Sequence, residues 1–135
     1  MESVDPVRAA QVIGVFRDIF DNFTRFVIFA DKSTYATEGK KGFQEKVVPH
    51  LKKLDFIVGG STYAAGNTVS FADFPVYELE DTLRAFDEET FNQYPNLKKH
   101  FEAFSEVPQI KAYRASDRFL AKPFFPPHVA NWSGL

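Results

Sequence analysis

Apolar residues recur every three or four positions along the first part of the chain, and this spacing favours an α-helix over a strand. The residues on these steps are Val12, Phe16, Ile19, Phe20, Phe23 and Val27. Further apolar residues between them widen the apolar arc beyond one stripe, so the helix is predicted to contact neighbours on two sides. Asp5 and Pro6 mark its start, with Asp5 as the N-cap and Pro6 at the first helical position. The helix is predicted over residues 4–31.

A second amphipathic helix is predicted from Lys41 to about Ile57, after a polar loop at residues 32–42. Pro49 lies inside this helix and lacks a backbone donor, which predicts a kink at that point. Residues 58–67 contain a pair of glycines and other turn formers, so the helix is predicted to end there.

The stretch GNTVSFADF, residues 66–74, fits the start of a helix better than a strand. With Ser70 as the N-cap and Asp73 three positions later, each side chain can accept a hydrogen bond from the amide of the other residue. Val69 and Phe74 stand where a hydrophobic staple requires them. The apolar spacing that follows predicts a helix that continues to residue 86.

Two further expectations concern the start of this helix. Val69, Phe71 and Phe74 surround the capping side chains, so the start is predicted to lie inside the core, where water cannot satisfy the first amides. Pro75 falls at the fifth helical position and is predicted to distort the helix locally.

The second half of the chain continues the helical pattern. Short helices are predicted over residues 94–104 and from Pro108 onward. Three prolines prevent residues 121–135 from being helical throughout. The Phe and Trp side chains of the same segment are too apolar for a free tail. The tail is therefore predicted to wrap over the domain. The pattern indicates one all-α domain, residues 1–135, built as a bundle of about five helices.

Composition excludes several classes of partner. The 16 basic and 18 acidic residues give a net charge of −2, which is too balanced for a nucleic-acid partner. The chain has no cysteine, which fits a reducing cytoplasm. No apolar run approaches the roughly 18 residues of a membrane-spanning helix, so no membrane span is predicted. The 16 phenylalanines imply a large core and allow an apolar surface that needs covering.

Two long motifs carry a family resemblance. The first, GNTVSFADFPVYELED, contains Gly66, Val69, Ser70 and Asp73, and the second is YPNLKKHFEAFSEVPQIKAYRASDRFL. Together they resemble the C-terminal helical domain of cytosolic glutathione transferases, the mu class most closely and the sigma class next. In that family, the same order of residues as in the first motif starts the buried central helix. The resemblance is strong over residues 43–133 and therefore covers most of the chain.

The resemblance implies a site that is shared with another domain. In the family, a thioredoxin-like N-terminal domain supplies most of the glutathione site and activates the thiol, and no βαβ pattern precedes the first helix here. The chain is therefore expected to be the helical half of such an enzyme, with the thioredoxin-like domain absent. It is expected to form the apolar wall of the electrophile pocket and part of a homodimer contact, and to bind hydrophobic small molecules. Glutathione is expected as a co-substrate only when the chain is paired with an N-terminal domain.

Counting along the sequence from Ser70 gives the residues of this chain that correspond to binding positions of the family. The electrophile-facing tyrosine of the mu class falls on Lys32, whose nearest aromatic neighbours are Phe29 and Tyr35. The substrate-binding residues implied in this way are Ile28, Phe29, Lys32, Tyr35, Pro126 and Pro127. The acidic residue that contacts glutathione across the dimer falls next to Asp21, which is the candidate for that role. Core filling is the alternative for the apolar residues of the first helix, and a solvated charge is the alternative for the acid.

No catalytic residue and no metal site are assigned. Ser70 and Asp73 are explained as a helix cap rather than as parts of a nucleophile site. His50, His100 and His128 lie far apart in the sequence and lack metal-ligand spacing. No donor is placed to lower the pKa of a thiol, so the chain alone is predicted not to conjugate glutathione.

A non-catalytic interaction or ligand-binding module with the same fold is the alternative function. The molecular surface separates the two hypotheses, because a module should be polar outside. Half of an enzyme should instead expose apolar surface where its second domain would pack, bind hydrophobic dyes and self-associate.

Overall fold

The computed structural model of the chain describes residues 4–29, 33 and 35–135. Its α-helices are α1 (Pro6–Thr24), α2 (Lys40–Gly42), α3 (Val48–Val58), α4 (Asp73–Phe86), α5 (Glu88–Phe91), α6 (Pro95–Ser105) and α7 (Pro108–Arg114). Three π-helical segments accompany them, π1 (Arg25–Phe29), π2 (Tyr35–Gly39) and π3 (Phe43–Val47). Within these residues no strand occurs apart from an isolated bridge between Tyr63 and Gly66. Five of these α-helices have 7 residues or more, which confirms the predicted all-α bundle of about five helices.

The first helix starts where the sequence predicts. Asp5 caps it, because Oδ1 of Asp5 accepts hydrogen bonds from the amides of Val7 at 3.0 Å and Arg8 at 3.2 Å. Pro6 occupies the first helical position, where its missing donor breaks no hydrogen bond. The α-helix ends at Thr24 and continues as π1, so its α-helical part is shorter than predicted. Like the other helices of the described residues, α1 is not both long and apolar enough to cross a membrane.

The second predicted helix consists of three pieces. The segments α2, π3 and α3 follow one another without a break from residue 40 to residue 58. Pro49 is the second residue of α3 and comes directly after π3. Proline cannot donate the hydrogen bond of a regular α-helix, and the chain is π-helical just before it. The kink itself stays a prediction.

The start of α4 differs from the prediction. The helix begins at Asp73, later than a Ser70 cap implies. Oδ2 of Asp73 accepts a hydrogen bond from the amide of Ser70 at 2.7 Å, as the capping box requires. Oγ of Ser70, however, accepts from the amide of Ala72 at 3.3 Å, and the amide of Asp73 donates to the carbonyl of Ser70 at 3.1 Å. A tight turn therefore precedes the helix.

The surroundings of this start are partly those predicted. Ala72 and Asp73 are fully buried, so the capping carboxylate lies inside the core. The start of the helix is thus buried, as predicted, although Phe71 and Phe74 are themselves 67% and 52% exposed.

Pro75 is the third residue of α4 rather than the fifth, and this position removes the reason for the predicted distortion. The first four amides of an α-helix have no partner within the helix, so proline breaks no hydrogen bond there. Replacing Pro75 with alanine is expected to change the free energy of unfolding by less than about 1 kcal/mol, as measured by urea denaturation. A stabilisation near 3 kcal/mol, roughly the cost of proline inside a helix, would contradict this placement.

Phenylalanine rings fill the core between α1, α4 and the tail. Phe23 is fully buried and meets Phe86 of α4 at a centroid distance of 5.2 Å in a perpendicular arrangement. The tail lies over this cluster, with Phe125 buried and the ring of Trp132 5.1 Å from that of Phe86. A hydrogen bond of 2.7 Å from the amide of Asn131 to a carbonyl of π1 fixes the tail in place. The tail therefore wraps over the domain, as predicted.

Two polar side chains satisfy the ends of neighbouring helices. The guanidinium of Arg8 in α1 donates to the carbonyls of Ile57, at 2.6 Å, and Val58 at the end of α3. A cation is favourable at this position because the last carbonyls of a helix carry partial negative charge. Asp55 of α3 in turn accepts from the amide of Asn96 at 2.9 Å, in the first turn of α6. The ends of α3 and α6 are thus completed by residues of other helices.

Candidate functional site

An apolar cavity of about 460 Å³ opens between α1, α4 and the chain after α7. Among the residues that line it are Phe16, Phe20, Phe23, Leu79, Phe119 and Phe124. Glu78, Asp81 and Thr82 add polar side chains from α4. A concave, mainly apolar wall with few polar groups is the usual form of a small-molecule site.

The rim of this cavity keeps large apolar side chains in solvent. Phe20 of α1 is 41% exposed and Leu120 is 72% exposed. Tyr113 of α7 lines the same cavity and is also exposed. These three residues are called the apolar rim below. Because they border one cavity, their exposed surfaces lie close together on the molecule.

Arg114 of α7 joins this helix to α4. It donates to the buried carboxylate of Asp81 at 3.3 Å, and Arg84 of α4 donates to the same carboxylate within the helix, also at 3.3 Å. The guanidinium of Arg114 also lies 4.6 Å from the centre of the Phe119 ring. These contacts position Phe119 in the wall of the cavity.

The substrate-binding residues implied by the family resemblance lie elsewhere or outside the described residues. Ile28 is half-buried in π1 and packs against the core. The two prolines at 126–127 are exposed in the tail. Neither Ile28 nor these prolines line the cavity between α1 and α4. Lys32 and the side chains of Phe29 and Tyr35 lie outside the described residues, so the assignments of all these residues stay predictions.

The other assigned residues have contrasting surroundings. Asp21 is exposed on α1 and does not line the cavity, so its contact with glutathione also stays a prediction. Ser70 is half-buried in the turn before α4. Asp73 is fully buried, and both of its carboxylate oxygens accept hydrogen bonds from the protein.

Asp73 belongs to a buried polar cluster that also contains Glu80 of α4 and His100 of α6. Oδ1 of Asp73 lies 2.7 Å from Nε2 of His100, and Nδ1 of His100 lies 2.5 Å from Oε1 of Glu80. All three side chains are fully buried. Asp73 also accepts from the amides of Ala64 and Ser70, each at 2.7 Å. The cluster therefore joins the turn before α4, α4 itself and α6.

Burial and hydrogen bonding act in opposite directions on the pKa values of this cluster. Burial raises the pKa of Asp73, but the hydrogen bonds from His100, Ala64 and Ser70 outweigh it and hold the pKa below the ordinary 3.8. Burial raises the pKa of Glu80 to about 7, more than the neighbouring imidazole lowers it. Burial alone would lower the pKa of His100, yet its bonds to Asp73 and Glu80 raise it to about 9.

No sequence motif gives His100 a role or singles out Glu80. The signal that could have found them is a titratable residue on the apolar face of a helix. Glu80 follows Asp73 by two helical turns, and His100 lies beside Leu97 and Phe101 on α6. In the described part of the chain, no group of His, Cys, Asp or Glu has the arrangement of a metal site.

The chain thus forms an all-α bundle in which the start of α4 is buried and an apolar cavity lies beside this helix. Residues 17–117 match the family described as Glutathione S-transferase, C-terminal domain. The chain belongs to this family, which confirms the resemblance drawn from its motifs.

Several relatives that the chain matches have names of the mu class. It is 35% identical to Glutathione S-transferase Mu 1 of Homo sapiens over 86 residues, which are 64% of this chain and 39% of the relative. Identity to the protein of the same name from Oryctolagus cuniculus is 36% over 95 residues, 70% of this chain and 41% of the relative. For the one from Rattus norvegicus it is 26% over 119 residues, 88% of this chain and 54% of the relative. The chain thus spans about half or less of the length of these relatives.

A solved structure shares the fold. The structure of NaGST-2 superposes on 87% of this chain, and on 61% of its own length, with a TM-score of 0.65. The sequence identity is 19%, so this likeness concerns the fold alone.

Proposed function

We propose that the chain is the helical half of a mu-like glutathione transferase and forms the apolar wall of its pocket for hydrophobic electrophiles. The observation that carries this proposal is the cavity of about 460 Å³, which has six phenylalanines among its 15 lining residues. Such a wall binds the apolar body of a substrate. It does not activate a thiol, which requires a positioned donor or cation beside the sulfur. Conjugation of glutathione therefore needs a second domain that supplies this group.

The apolar rim supports docking of a thioredoxin-like domain beside the cavity. Phe20, Tyr113 and Leu120 expose apolar surface around one opening, and monomeric proteins rarely leave large contiguous apolar patches in water. The alignment with the human relative covers 39% of that protein, which leaves length for a further domain. A non-catalytic module with a polar surface would lack this apolar rim, so the half-enzyme hypothesis is favoured over it.

The residues assigned from the resemblance extend the proposal to the end of the first helix and to the tail. Ile28 is half-buried and the prolines at 126–127 are exposed, so these side chains can contact a ligand that a second domain presents. Asp21 is exposed on α1, where it can face glutathione held by a homodimer partner. We place this assembly in the cytoplasm, in line with a chain that has no cysteine.

Calorimetric titration of the folded chain with glutathione tests this division of roles. The chain alone is expected to give no saturable heat and no conjugation of glutathione to an aryl halide, because in the family that it belongs to the thioredoxin-like domain supplies the group that activates the thiol. The hydrophobic dye anilinonaphthalene sulfonate is expected to bind at the cavity. Saturable binding of glutathione would overturn the half-enzyme proposal.

Two matched variants locate the bound dye. Leu120→Ser at the apolar rim is expected to weaken dye binding by roughly 3- to 10-fold, because apolar contact area is lost. Phe56→Ser, which changes a ring that is 83% exposed on α3, is expected to leave dye binding unchanged. Equal effects of the two substitutions would contradict the assignment of the dye to the cavity.

A further inference from the structure

The cluster of Asp73, His100 and Glu80 is not used by the proposed function, although it is unusual for a core. Three ionisable side chains, all fully buried, form one hydrogen-bonded chain that crosses from α4 to α6 and back. Buried ionisable groups are costly unless they are paired or lose their charge. The arrangement therefore restricts which protons the folded chain carries.

Two hydrogen bonds join the imidazole to carboxylates, and each bond needs its own proton. A neutral imidazole has one N–H, so it can donate to Asp73 or to Glu80 but not to both. The cluster must then hold one further proton, either on the ring or on Glu80. Oε2 of Glu80 is buried and has no hydrogen-bond partner among the described residues, which further disfavours an isolated negative charge on this carboxylate.

We propose that these three residues form a proton-dependent latch between α4 and α6, which keeps one proton in the folded chain that the unfolded chain releases at neutral and alkaline pH. When this proton leaves, a buried carboxylate faces the lone pair of a ring nitrogen instead of a donor. The latch then opens and α6 separates from the start of α4. This role is independent of the proposed enzymatic function.

In the described part of the chain, no other charged group forms a hydrogen bond or an ion pair with the latch. From α4, the ring of His100 faces Asp73 and Glu80, and from α6 it stacks on Phe104 at 5.9 Å. The turn before α4 contributes two backbone amides, which bind Asp73. The charged groups of α3 and α7 next to α6 are engaged elsewhere: Asp55 with the amides of Asn96 and Leu97, Lys111 with Glu106, and Arg114 with Asp81.

The pKa directions agree with a retained proton. The pKa of His100 is raised from 6.5 to about 9, and that of Glu80 from 4.5 to about 7. A group with a raised pKa keeps its proton in the folded state where the unfolded chain has lost it, so its contribution to stability is lost as the pH rises through these values. The lowered pKa of Asp73 has the opposite sign, and its contribution is lost only as the pH falls below 3.8. Stability should therefore be greatest in mild acid.

Opening of the latch would also affect the aromatic side chains that pack beside it. The ring of Phe104, which stacks on His100, lies 4.9 Å from that of Tyr77 and 5.3 Å from that of Phe74. Tyr77 and Phe74 belong to α4, so these rings are the apolar part of the same α4–α6 contact. Loss of the latch should weaken this contact before α1 is affected.

The free energy of unfolding in urea, measured for the full chain between roughly pH 6 and pH 9.5, gives the number of protons that the chain releases when it unfolds. One proton released on unfolding lowers the folding equilibrium constant about tenfold for each pH unit between about pH 7 and pH 9. The double variant Glu80→Leu/His100→Phe should fold, because an apolar pair of similar volume can replace a buried ionic pair. Its free energy of unfolding should not change with pH over this range. If it does not fold, Glu80→Met/His100→Leu takes its place. The control His128→Gln, at an exposed histidine of the tail, should keep the wild-type slope.

Hydrogen exchange separates opening of the latch from global unfolding. The protection of α6 amides relative to α1 amides should fall as the pH rises in the wild type and stay constant in the apolar double variant. A flat unfolding profile in the wild type would overturn the proposal. So would a wild-type slope in the folded double variant, or a constant ratio of protection in the wild type.

Discussion

Replacing Asp73 with alanine is expected to lower the free energy of unfolding by about 3–5 kcal/mol in mild acid, as measured by urea denaturation. The carboxylate accepts hydrogen bonds from the amides of Ala64 and Ser70 and from Nε2 of His100, each at 2.7 Å. Alanine leaves all three donors inside the core without a partner. Because Asp73 is fully buried, water cannot take its place.

Two further variants show whether the loss comes from this site. Glu102→Ala removes an exposed carboxylate from α6 and is expected to change the free energy of unfolding by less than about 0.5 kcal/mol. Asp73→Asn keeps one acceptor oxygen and should cost less than alanine. A loss below about 1 kcal/mol for the alanine variant would mean that the buried cluster does not hold the start of α4 in place.

Phe23→Ala is expected to cost about 3–5 kcal/mol of stability, because it leaves a cavity where several segments meet. The ring of Phe23 is fully buried, and its centroid lies 5.2 to 6.3 Å from five other rings. These rings belong to Phe26, Phe43, Phe86, Phe125 and Trp132. They come from π1, π3, α4 and the tail, so one substitution weakens the packing of α1 against four segments.

Urea unfolding followed by tryptophan fluorescence measures this effect, since Trp132 is the single tryptophan and its ring lies 6.2 Å from that of Phe23. Phe56→Ala is the matched control, because this phenylalanine is 83% exposed and should change stability by less than about 0.5 kcal/mol. Similar losses in the two variants would contradict the central place of Phe23 in the core.

The helices could be predicted because the signals for them are local. Asp5 and Pro6 define the start of α1 within four residues, and the apolar periodicity defines its buried face. The start of α4 could not be placed in this way. The partners that hold Asp73 include Ala64 and His100, which are nine residues before it and 27 after it. The capping motif alone fits more than one starting residue.

The candidate site was less predictable than the fold. Its cavity brings Phe16 and Phe20 of α1 together with Phe119 and Leu120, and this pairing depends on how the chain after α7 returns to the first helix. A local sequence pattern cannot predict a contact between residues so far apart in the chain. Membership in the glutathione transferase family could be predicted, because the motifs that carry it are continuous in the sequence.

The two side chains that complete neighbouring helix ends have a consequence for the order of assembly. Asp55 can cap α6 only when α3 is already in position, and Arg8 can close the end of α3 only when α1 lies beside it. The end of α3 and the start of α6 are therefore completed only after their neighbouring helices are in place. These two contacts make the formation of α6 depend on α3, and the closing of α3 depend on α1.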